Sequence, residues 1–427
     1  MHKYIVDGGF PVNGRIKASG NKNAALPCIA ACLLSAQEVI LRNIPDIEDV
    51  TVLCEILETL GSNVVRDVAK GTVKISTPEI TQTEISAALA KKIRASILLA
   101  GPLVGRAGKI TLPPPGGDVI GRRRLDTHFL ALNSLGATVE IDGAYKISAD
   151  KLVGQEIFLD EASVTGTENA IMAAVLAEGK TVIENAASEP HVQDVCLLLN
   201  QMGARISGIG SNILTISGVK ELHGADFSIS PDFMEIGSFI GLAAVTHGDL
   251  TIENVRPEHL RMTKIGFAKI GIHWDQLENA IHVGPDQAMK VQTDLGGMIP
   301  KIDDAPWPGF PPDLLSIMLM VATQVEGTVL IHEKMFESRM FFVDKLISMG
   351  AGIILCDPHR AVVSGPGRLH GATLVSPDVR AGMALVLAAL CAEGQSEIHN
   401  VYQIERGYEH IATRLQSLGA RIRRIPV

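Results

Sequence analysis

The chain has 427 residues, a length that suggests two or three domains. Its 46% hydrophobic content is typical of a soluble globular protein and is ample for a large core. The formal net charge of −9 argues against a general nucleic-acid surface, so any anionic ligand must be held by a local group of cations.

The N-terminal sequence MHKYIVDGGF lacks the apolar core of a signal peptide. The longest apolar runs, such as MALVLAALCA at 383–392, are too short to span a bilayer. We therefore expect a cytoplasmic protein. The six cysteines form no CxxC pair and lie mostly in apolar helical stretches, which favours buried free thiols.

Six times along the chain, a helical run ends in a bulky apolar residue, a glycine and a strand-like stretch. Successive glycines are 75, 67, 68, 79 and 69 residues apart, which indicates an internal repeat. A glycine between helix and strand suits a left-handed C-cap. The glycines are Gly61, Gly136, Gly203, Gly271, Gly350 and Gly419.

Each repeat predicts two helices and short strands. The first helices, such as ENAIMAAVLAEG, are almost wholly apolar and should be buried on most sides, whereas the second, such as VQDVCLLLNQMG, are amphipathic. No unit is large enough to bury its own faces, so the units must pack together. Three units per domain predict two similar α/β domains that pack across a cleft, with helices inside and sheets outside.

Four arginines lie at predicted helix starts, where a cation opposes the helix dipole. Such positions make sense if an anion shares the backbone N–H groups and the guanidinium forks. The sequence therefore predicts a phosphate or carboxylate site, with solvated surface charge as the alternative. The arginines are Arg94, Arg339, Arg380 and Arg406.

Motifs along essentially the full length resemble UDP-N-acetylglucosamine enolpyruvyl transferases. They are NKNAALP at 21–27, IRAS at 93–96, PGGDVIGRRRLDTH at 115–128, AEGKTVIENAASEP at 177–190, FPPD at 310–313, FESR at 336–339, PDVRAG at 377–382 and ERGYEHI at 405–411. The resemblance implies a two-domain inverted α/β barrel fold with three repeated units per domain. The first domain would span 22–230, and the second would combine 1–21 with 231–427.

This resemblance implies transfer of the enolpyruvyl group of phosphoenolpyruvate to the 3-hydroxyl of UDP-N-acetylglucosamine, with release of phosphate. In bacteria this is the first committed step of peptidoglycan synthesis. The expected partners are these two substrates, without nucleic acid or membrane. No cofactor is implied, and no cluster of His, Cys and carboxylate has the spacing of metal ligands.

Site residues carried over by motif fall into two overlapping sets. The phosphoenolpyruvate set is Lys22, Asn23, Arg123, Arg339, Arg380 and Arg406. The UDP-N-acetylglucosamine set is Asn23, Arg94, Arg123, Arg124, Leu125, Asp126, Thr127, Ser163, Val164, Asp313 and Met335. Asp313 is the plausible base at the sugar hydroxyl, although helix capping alone would explain it. The catalytic set is Asp118, Lys22, Asp313 and Arg406.

The loop PPPGGDVIGRR at 113–123 corresponds to a loop that closes over the substrates in the family. Asp118 stands where the family usually has cysteine and is the predicted acid that protonates C3. The neighbouring arginines should lower its pKa, whereas a general acid needs a raised pKa. The alternative is a turn residue after Gly-Gly. Without the cysteine, the epoxide fosfomycin should not inactivate the protein.

Two other functions are considered. Shikimate-pathway enolpyruvyl transferases share the fold, but their phosphate-binding loop reads like LGNAGT, which nothing here matches. A non-catalytic paralogue that binds a UDP-sugar is disfavoured because Lys22, Asp313 and the arginines are retained.

Overall fold

The structure is a computed structural model that describes residues 2–117, 121 and 123–427. The described chain divides into two compact units. The first unit comprises residues 20–117 and 124–230. The second unit comprises residues 2–19 and 231–427, together with Gly121 and Arg123. Each unit has its own hydrophobic core.

The first unit contains three separate sheets. In spatial order, the strands are Asp226–Ser228, Val39–Arg42, Thr72–Ser76 and Asn63–Asp67; Arg205–Ser207, Ile213–Ser217, Lys180–Glu184 and Glu156–Phe158; and Lys109–Leu112, Tyr145–Ser148 and Thr138–Ile141.

Three sheets also make up the second unit. Their strands are Thr373–Val375, Gln395–His399, His2–Asp7 and Arg421–Pro426; Asp275–Gln276, Ala280–Val283, Leu250–Glu253 and Gly14–Lys17; and Lys301–Asp303, Gly327–His332, Arg360–Gly365 and Ile353–Asp357. The N-terminal strand is thus an inner strand, antiparallel to C-terminal strands on both sides.

All five four-stranded sheets share one layout. One edge strand pairs in parallel, and the other pairings are antiparallel. The three-stranded sheet has antiparallel pairings and, at its Lys109–Leu112 edge, a parallel bridge between Glu84 and Thr111 in place of the fourth strand. The six sheets thus agree with six repeated units, three in each half of the fold. Over the described residues the strands form six separate sheets and not one closed, hydrogen-bonded barrel. The inverted α/β barrel expected from the resemblance is therefore built from separate sheets.

Almost wholly buried helices lie inside both units because most of their residues are apolar, although Val164–Ala174 also buries Thr167, Glu168 and Asn169. In the first unit these are Lys22–Ala31, Ala100–Ala107 (preceded by the 3-10 turn Arg94–Leu99) and Val164–Ala174. In the second unit they are Phe233–Val245, Pro312–Ala322 and Val379–Cys391, which contact one another. The sheets bury alternate residues, as expected for strands that cover helices on one face only.

The second helix of each repeat is shorter or more exposed, and its glycine follows. These helices are Glu48–Thr59, Asp126–Ser134, Pro190–Gln201, Arg261–Lys269, Val343–Ser348 and Ile411–Ser417. The six repeat glycines all have positive φ, from 73° to 106°, which confirms the predicted left-handed termination.

Short elements complete the described chain. They are the helices Ala87–Ala90 and Tyr402–Glu405 and the 3-10 turns Cys32–Leu34, Val68–Lys70, Pro257–Leu260, Leu295–Gly297 and Arg339–Phe342. In the part of the chain that the structure describes, no helix is both long and apolar enough to cross a bilayer.

Four of the six cysteines are buried free thiols, as predicted: Cys28, Cys32, Cys54 and Cys196. Cys391 is only partly buried, and Cys356 is exposed because it lies on the outer strand Ile353–Asp357.

We predict that the repeat glycines differ in their tolerance of a side chain. At Gly61 an added Cβ would lie 2.6 Å from the backbone oxygen of Glu79, whereas at Gly136 the nearest atom, the oxygen of Lys151, would be 3.4 Å away. Both have positive φ, so Gly136→Ala should lower the free energy of unfolding by about 1–2 kcal/mol. Gly61→Ala should lower it by roughly 1–3 kcal/mol more, because the backbone must also move. Equal losses in urea unfolding would contradict this.

Candidate active site

In the second unit, one carboxylate joins two arginines from different repeats. Asp313 lies in the first turn of the helix Pro312–Ala322. Its Oδ1 accepts from Arg339 Nη2 at 2.5 Å, and its Oδ2 accepts from Arg380 Nε at 3.1 Å. Arg339 is the first residue of its 3-10 turn, and Arg380 is the second residue of the helix Val379–Cys391. The structure thus brings together three of the predicted site residues at three helix starts.

Both guanidinium groups in this cluster are nearly buried, with side-chain exposures of 6% for Arg339 and 5% for Arg380. The guanidinium carbon of Arg339 lies 4.7 Å from the centre of the Phe336 ring, and that of Arg380 lies 5.2 Å from the centre of the Tyr408 ring. Such stacking on aromatic faces fixes the guanidinium planes.

Part of the donor capacity of the two arginines is unused. Arg339 Nε and Arg380 Nη1 are buried without a hydrogen-bond partner among the described residues. Leaving a buried charged donor unpaired is unfavourable by more than about 1–3 kcal/mol. The pair is therefore arranged to bind a further anion, such as a carboxylate or a phosphate.

The charge state of Asp313 follows from these neighbours. Burial would raise the pKa of its carboxyl group, but the charges of Arg339 and Arg380 outweigh burial and hold that pKa well below its usual range. Burial would likewise lower the pKa of Arg380, and the nearby Tyr408 and Asp313 raise it instead. All three groups are consequently charged at neutral pH.

The helix-dipole argument holds for only some of the arginines. Arg380 does lie in the first turn of an α-helix, where Asp378 caps its N–H at 2.8 Å. Arg94 and Arg339 begin 3-10 turns instead. For Arg406 the argument is wrong: it is the C-cap of the helix Tyr402–Glu405, where a cation is favourable. Arg406 is nonetheless nearly buried and donates to Gln403 Oε1 at 3.1 Å.

Lys22 is the first residue of its helix in the first unit, directly after the capping residue Asn21. The Asn21 side chain accepts from the N–H of Asn23 at 2.8 Å, which fixes the start of the helix. Lys22 Nζ lies 2.8 Å from Asp49 Oδ2, and both side chains are largely buried. Sequence reasoning missed Asp49, because an acidic residue in the first turn of a helix normally indicates capping.

Residues of the predicted nucleotide site gather around two neighbouring helices of the first unit. Arg94 Nη2 lies 3.4 Å from the backbone oxygen of Arg124, and Arg124 forms an exposed ion pair with Asp126. Thr127 donates to Asp160 Oδ1 at 2.6 Å. Leu125 is buried ahead of the helix Asp126–Ser134.

The second of these helices, Val164–Ala174, packs against Asp126–Ser134. Its N-cap is Ser163, whose hydroxyl accepts from the N–H of Gly166 at 3.3 Å, and Val164 is its first residue. The two stretches that the resemblance assigns to UDP-N-acetylglucosamine, 123–127 and 163–164, therefore lie at the starts of adjacent helices. The N-terminus of such a helix has backbone N–H groups that can bind phosphate oxygens.

His128 supports this helix pair and was not among the predicted residues. Burial, and then the charge of Arg94, lowers its pKa to about 3, so the ring is neutral. Its Nδ1 lies 2.7 Å from the Asn169 amide and its Nε2 lies 3.1 Å from the Thr165 hydroxyl.

Two further predictions meet the structure differently. Met335, which the resemblance assigns as a backbone contact beside the sugar, donates its own N–H to Asp304 Oδ2 at 3.2 Å. Asp118 lies outside the described residues. Of its loop, 113–117, 121 and 123 are described, and Arg123 is half-buried.

Gly117 of the same loop packs against Arg94 of the predicted nucleotide site. Gly117, with φ of +110°, leaves no room for a Cβ, which would lie 2.7 Å from the Cβ of Arg94. Among the described residues, no three or more His, Cys, Asp or Glu side chains are grouped to hold a metal ion.

A family model described as EPSP synthase (3-phosphoshikimate 1-carboxyvinyltransferase) matches residues 6–415. The chain is 66% identical over 422 residues to the UDP-N-acetylglucosamine 1-carboxyvinyltransferase of Treponema denticola, covering 99% of both chains. It is 59% identical over 426 residues to the protein of that name from Borreliella burgdorferi, covering 100% of this chain and 99% of the relative.

Two groups of solved structures share the fold. The enolpyruvyl transferase NikO from Streptomyces tendae matches with a TM-score of 0.88 and 24% identity, covering 100% of this chain and 99% of its own. EPSP synthase from Acinetobacter baumannii matches with a TM-score of 0.75 and 16% identity, with full coverage of both chains.

Asp313→Asn should strengthen the binding of inorganic phosphate, because it removes the carboxylate that competes for Arg339 and Arg380. The expected gain is on the order of tenfold in Kd, the effect of one nearby charge at a partly screened site. Titration calorimetry of both proteins measures it. Asp357→Asn, which breaks the exposed pair with Arg360, is the matched control and should change nothing. Unchanged phosphate affinity in Asp313→Asn would rule the competition out.

Proposed function

The chain belongs to the EPSP synthase family of carboxyvinyltransferases, and we propose that it transfers the enolpyruvyl group of phosphoenolpyruvate to the 3-hydroxyl of UDP-N-acetylglucosamine. Phosphate is the second product, and the reaction begins peptidoglycan synthesis. Relatives that are 58–66% identical over at least 99% of this chain carry the corresponding name, which supports this acceptor over shikimate 3-phosphate. The observation that carries the proposal is the pair of buried arginines with unused donors beside Asp313.

Phosphoenolpyruvate has a carboxylate and a phosphate, and the arginine pair suits either group. Arg339 Nε and Arg380 Nη1 supply the unused N–H donors, and their stacked positions hold the forks in place. Arg406 and Arg123 are assigned to the same substrate by resemblance. A preorganised, largely buried set of cations stabilises negative charge more than the same set in water.

Asp313 is proposed as the base, and its ion pairs regulate its strength. While both arginines hold it, the low pKa makes Asp313 a poor proton acceptor. When an anionic substrate shares the guanidinium groups, it offsets part of their charge and the pKa of Asp313 rises. The base therefore becomes competent only when phosphoenolpyruvate is in place, which protects against unproductive proton transfer.

The proposed addition and elimination balance as follows. Asp313 takes the proton of the sugar 3-hydroxyl while the hydroxyl oxygen forms a bond to C2 of phosphoenolpyruvate. At the same time C3 gains a proton from Asp118. In the elimination, the ionised Asp118 takes a proton back from C3, the C2–C3 double bond re-forms, and the C2–O bond to phosphate breaks. The proton held by Asp313 passes to the released phosphate, so both carboxyl groups return to their starting states. Lys22 is assigned to the charge that develops on the phosphate, with Asp49 holding its ammonium group.

The nucleotide-sugar half of the proposal rests on the first unit. Arg94 and Arg124 are the cations beside the start of the helix Asp126–Ser134, and the N-terminus of Val164–Ala174 offers backbone N–H groups. A diphosphate would compete with Asp126 for Arg124, in an exposed pair that contributes little to stability.

The proposal predicts phosphate release when phosphoenolpyruvate is mixed with UDP-N-acetylglucosamine, and none above background with shikimate 3-phosphate. Arg380→Lys, which keeps the charge but loses the fork, should lower kcat/KM by about 10²-fold or more. Arg360→Lys, in the exposed pair with Asp357, should leave it unchanged. Release only with shikimate 3-phosphate would replace the proposed acceptor, and release with neither would indicate a non-catalytic binding protein.

Asp118 as the acid is a separate prediction from the sequence. Asp118→Ala should lower turnover by about 10²–10⁴-fold, the usual contribution of one general acid, and leave UDP-N-acetylglucosamine binding unchanged. Asp118→Cys should remain active and become open to covalent inactivation by fosfomycin, whereas the native chain should not lose activity with time. Near-normal turnover in Asp118→Ala, or inactivation of the native chain by fosfomycin, would refute the assignment.

A further inference from the structure

The segment that leads to Arg339 is held by two buried carboxyl groups. It runs from 334 to 338, between the strand Gly327–His332 and the 3-10 turn Arg339–Phe342. The side chains of Asp304 and Glu333 are 0% and 1% exposed. Neither was singled out in the sequence, because an isolated Asp or Glu near a strand end carries no signal of burial.

Three successive backbone N–H groups of the segment donate to this carboxyl pair. Lys334 N–H donates to Asp304 Oδ1 at 2.5 Å and Met335 N–H donates to Asp304 Oδ2 at 3.2 Å. Phe336 N–H donates to Glu333 Oε1 at 3.1 Å. Because Phe336 stacks on Arg339, these bonds also fix the guanidinium.

The consecutive N–H groups of Met335 and Phe336 bond the two side chains, so the buried carboxyl groups lie close to each other. Two neighbouring carboxyl groups in a buried site are stabilised by sharing one proton, because ionising both would place two negative charges together. Burial, and then the hydrogen bond to Asp304, raises the pKa of Glu333 to about 9. The pair therefore holds one proton at neutral pH, and a protonated Glu333 can accept from Phe336 N–H while donating to Asp304.

Other charged or titratable groups around Glu333 come from three directions. Arg339 favours the ionised form of Glu333. His359, in the turn before the strand Arg360–Gly365, donates from Nδ1 to the Glu333 backbone oxygen at 2.9 Å. Lys334 turns its ammonium group to Asp303 at 2.7 Å and away from the pair.

We propose that Asp304 and Glu333 are positioning residues that share one proton and thereby hold the segment 334–338, with Met335 and Arg339, in the geometry needed for phosphoenolpyruvate. The inference rests on the proposed function for its kinetic consequence, but not for its structural one. Loss of the proton places two negative charges in contact in a buried site, so the segment must rearrange. Binding of an anion at Arg339 offsets the cation that favours ionisation, so substrate and proton bind cooperatively.

Glu333→Gln is the informative variant, because glutamine keeps the shape of a protonated carboxyl with one acceptor and a donor for Asp304. In the native chain, kcat/KM for phosphoenolpyruvate should fall about tenfold per pH unit above pH 9. The corresponding fall in kcat should begin at a higher pH, because bound substrate favours the protonated pair. Glu333→Gln should match the native value within about threefold at pH 7.5 and lack this limb. Ionisations of the substrates are common to both proteins. Identical profiles would overturn the proposal.

Asp304→Asn tests the other partner. Asparagine has one acceptor oxygen, so either Lys334 N–H or Met335 N–H loses its bond, and KM for phosphoenolpyruvate should rise about tenfold with a smaller change in kcat. Asp303→Asn is the matched control, since Asp303 adjoins the pair but bonds only the ammonium groups of Lys301 and Lys334. It should keep native kinetics. An equal effect of both substitutions would assign Asp304 a general structural role.

Hydrogen–deuterium exchange of the peptide covering 333–339 provides a readout that needs no turnover. After correction for the intrinsic effect of pH, exchange should increase above pH 9 in the native chain and not in Glu333→Gln. If this difference appears while no phosphate is released at any pH, the proposed function fails and the shared proton stands. If phosphate is released but exchange is the same in both proteins, the shared proton is refuted alone.

Discussion

Two guanidinium groups buried side by side are unfavourable unless a negative charge lies between them, and in this chain Asp313 supplies that charge. The same carboxylate is the proposed base. Its pairing with Arg339 and Arg380 stabilises the empty site and keeps the base weak, so a substrate anion that competes for the arginines changes both properties together. Binding and activation of the base then follow from one rearrangement of charge.

The repeated units explain how these groups meet. Each buried helix begins at the same place in its repeat, so helices far apart in the chain present their first turns together in one core. Asp313 and Arg380 come from two such helices, and Arg339 comes from the short turn that precedes the second helix Val343–Ser348. A helix start offers free N–H groups, and side chains placed there can reach a shared ligand.

Much of the fold was predictable because it depends on local patterns. The glycine that ends a helix and the apolar sequence of a buried helix can each be recognised within about fifteen residues. The cation cluster was partly predictable for the same reason. Arg406 shows the limit. The second helix of the last repeat was predicted to begin near Arg406, but it begins at Ile411, and a separate short helix, Tyr402–Glu405, ends at Arg406.

Pairs of distant residues were not predictable. Asp49 with Lys22, and Asp304 with Glu333, combine residues that look ordinary in their own segments, and only tertiary packing makes them buried neighbours. The bond from the Met335 N–H to Asp304 is another link that the separate sequence segments do not indicate. Such links concern how buried polar groups are satisfied, which a one-dimensional pattern does not record.

The strand His2–Asp7, which lies between Gln395–His399 and Arg421–Pro426, has a consequence for biosynthesis. The first unit is encoded in one continuous stretch apart from the short loop, so it can fold while the ribosome is still translating the second half. The strand His2–Asp7 is translated before this unit, but its partners, residues 395–399 and 421–426, are translated long after it. Until those residues emerge, the strand exposes Tyr4, Ile5 and Val6, which are buried in the fold, and it is the kind of unpaired segment that chaperones bind.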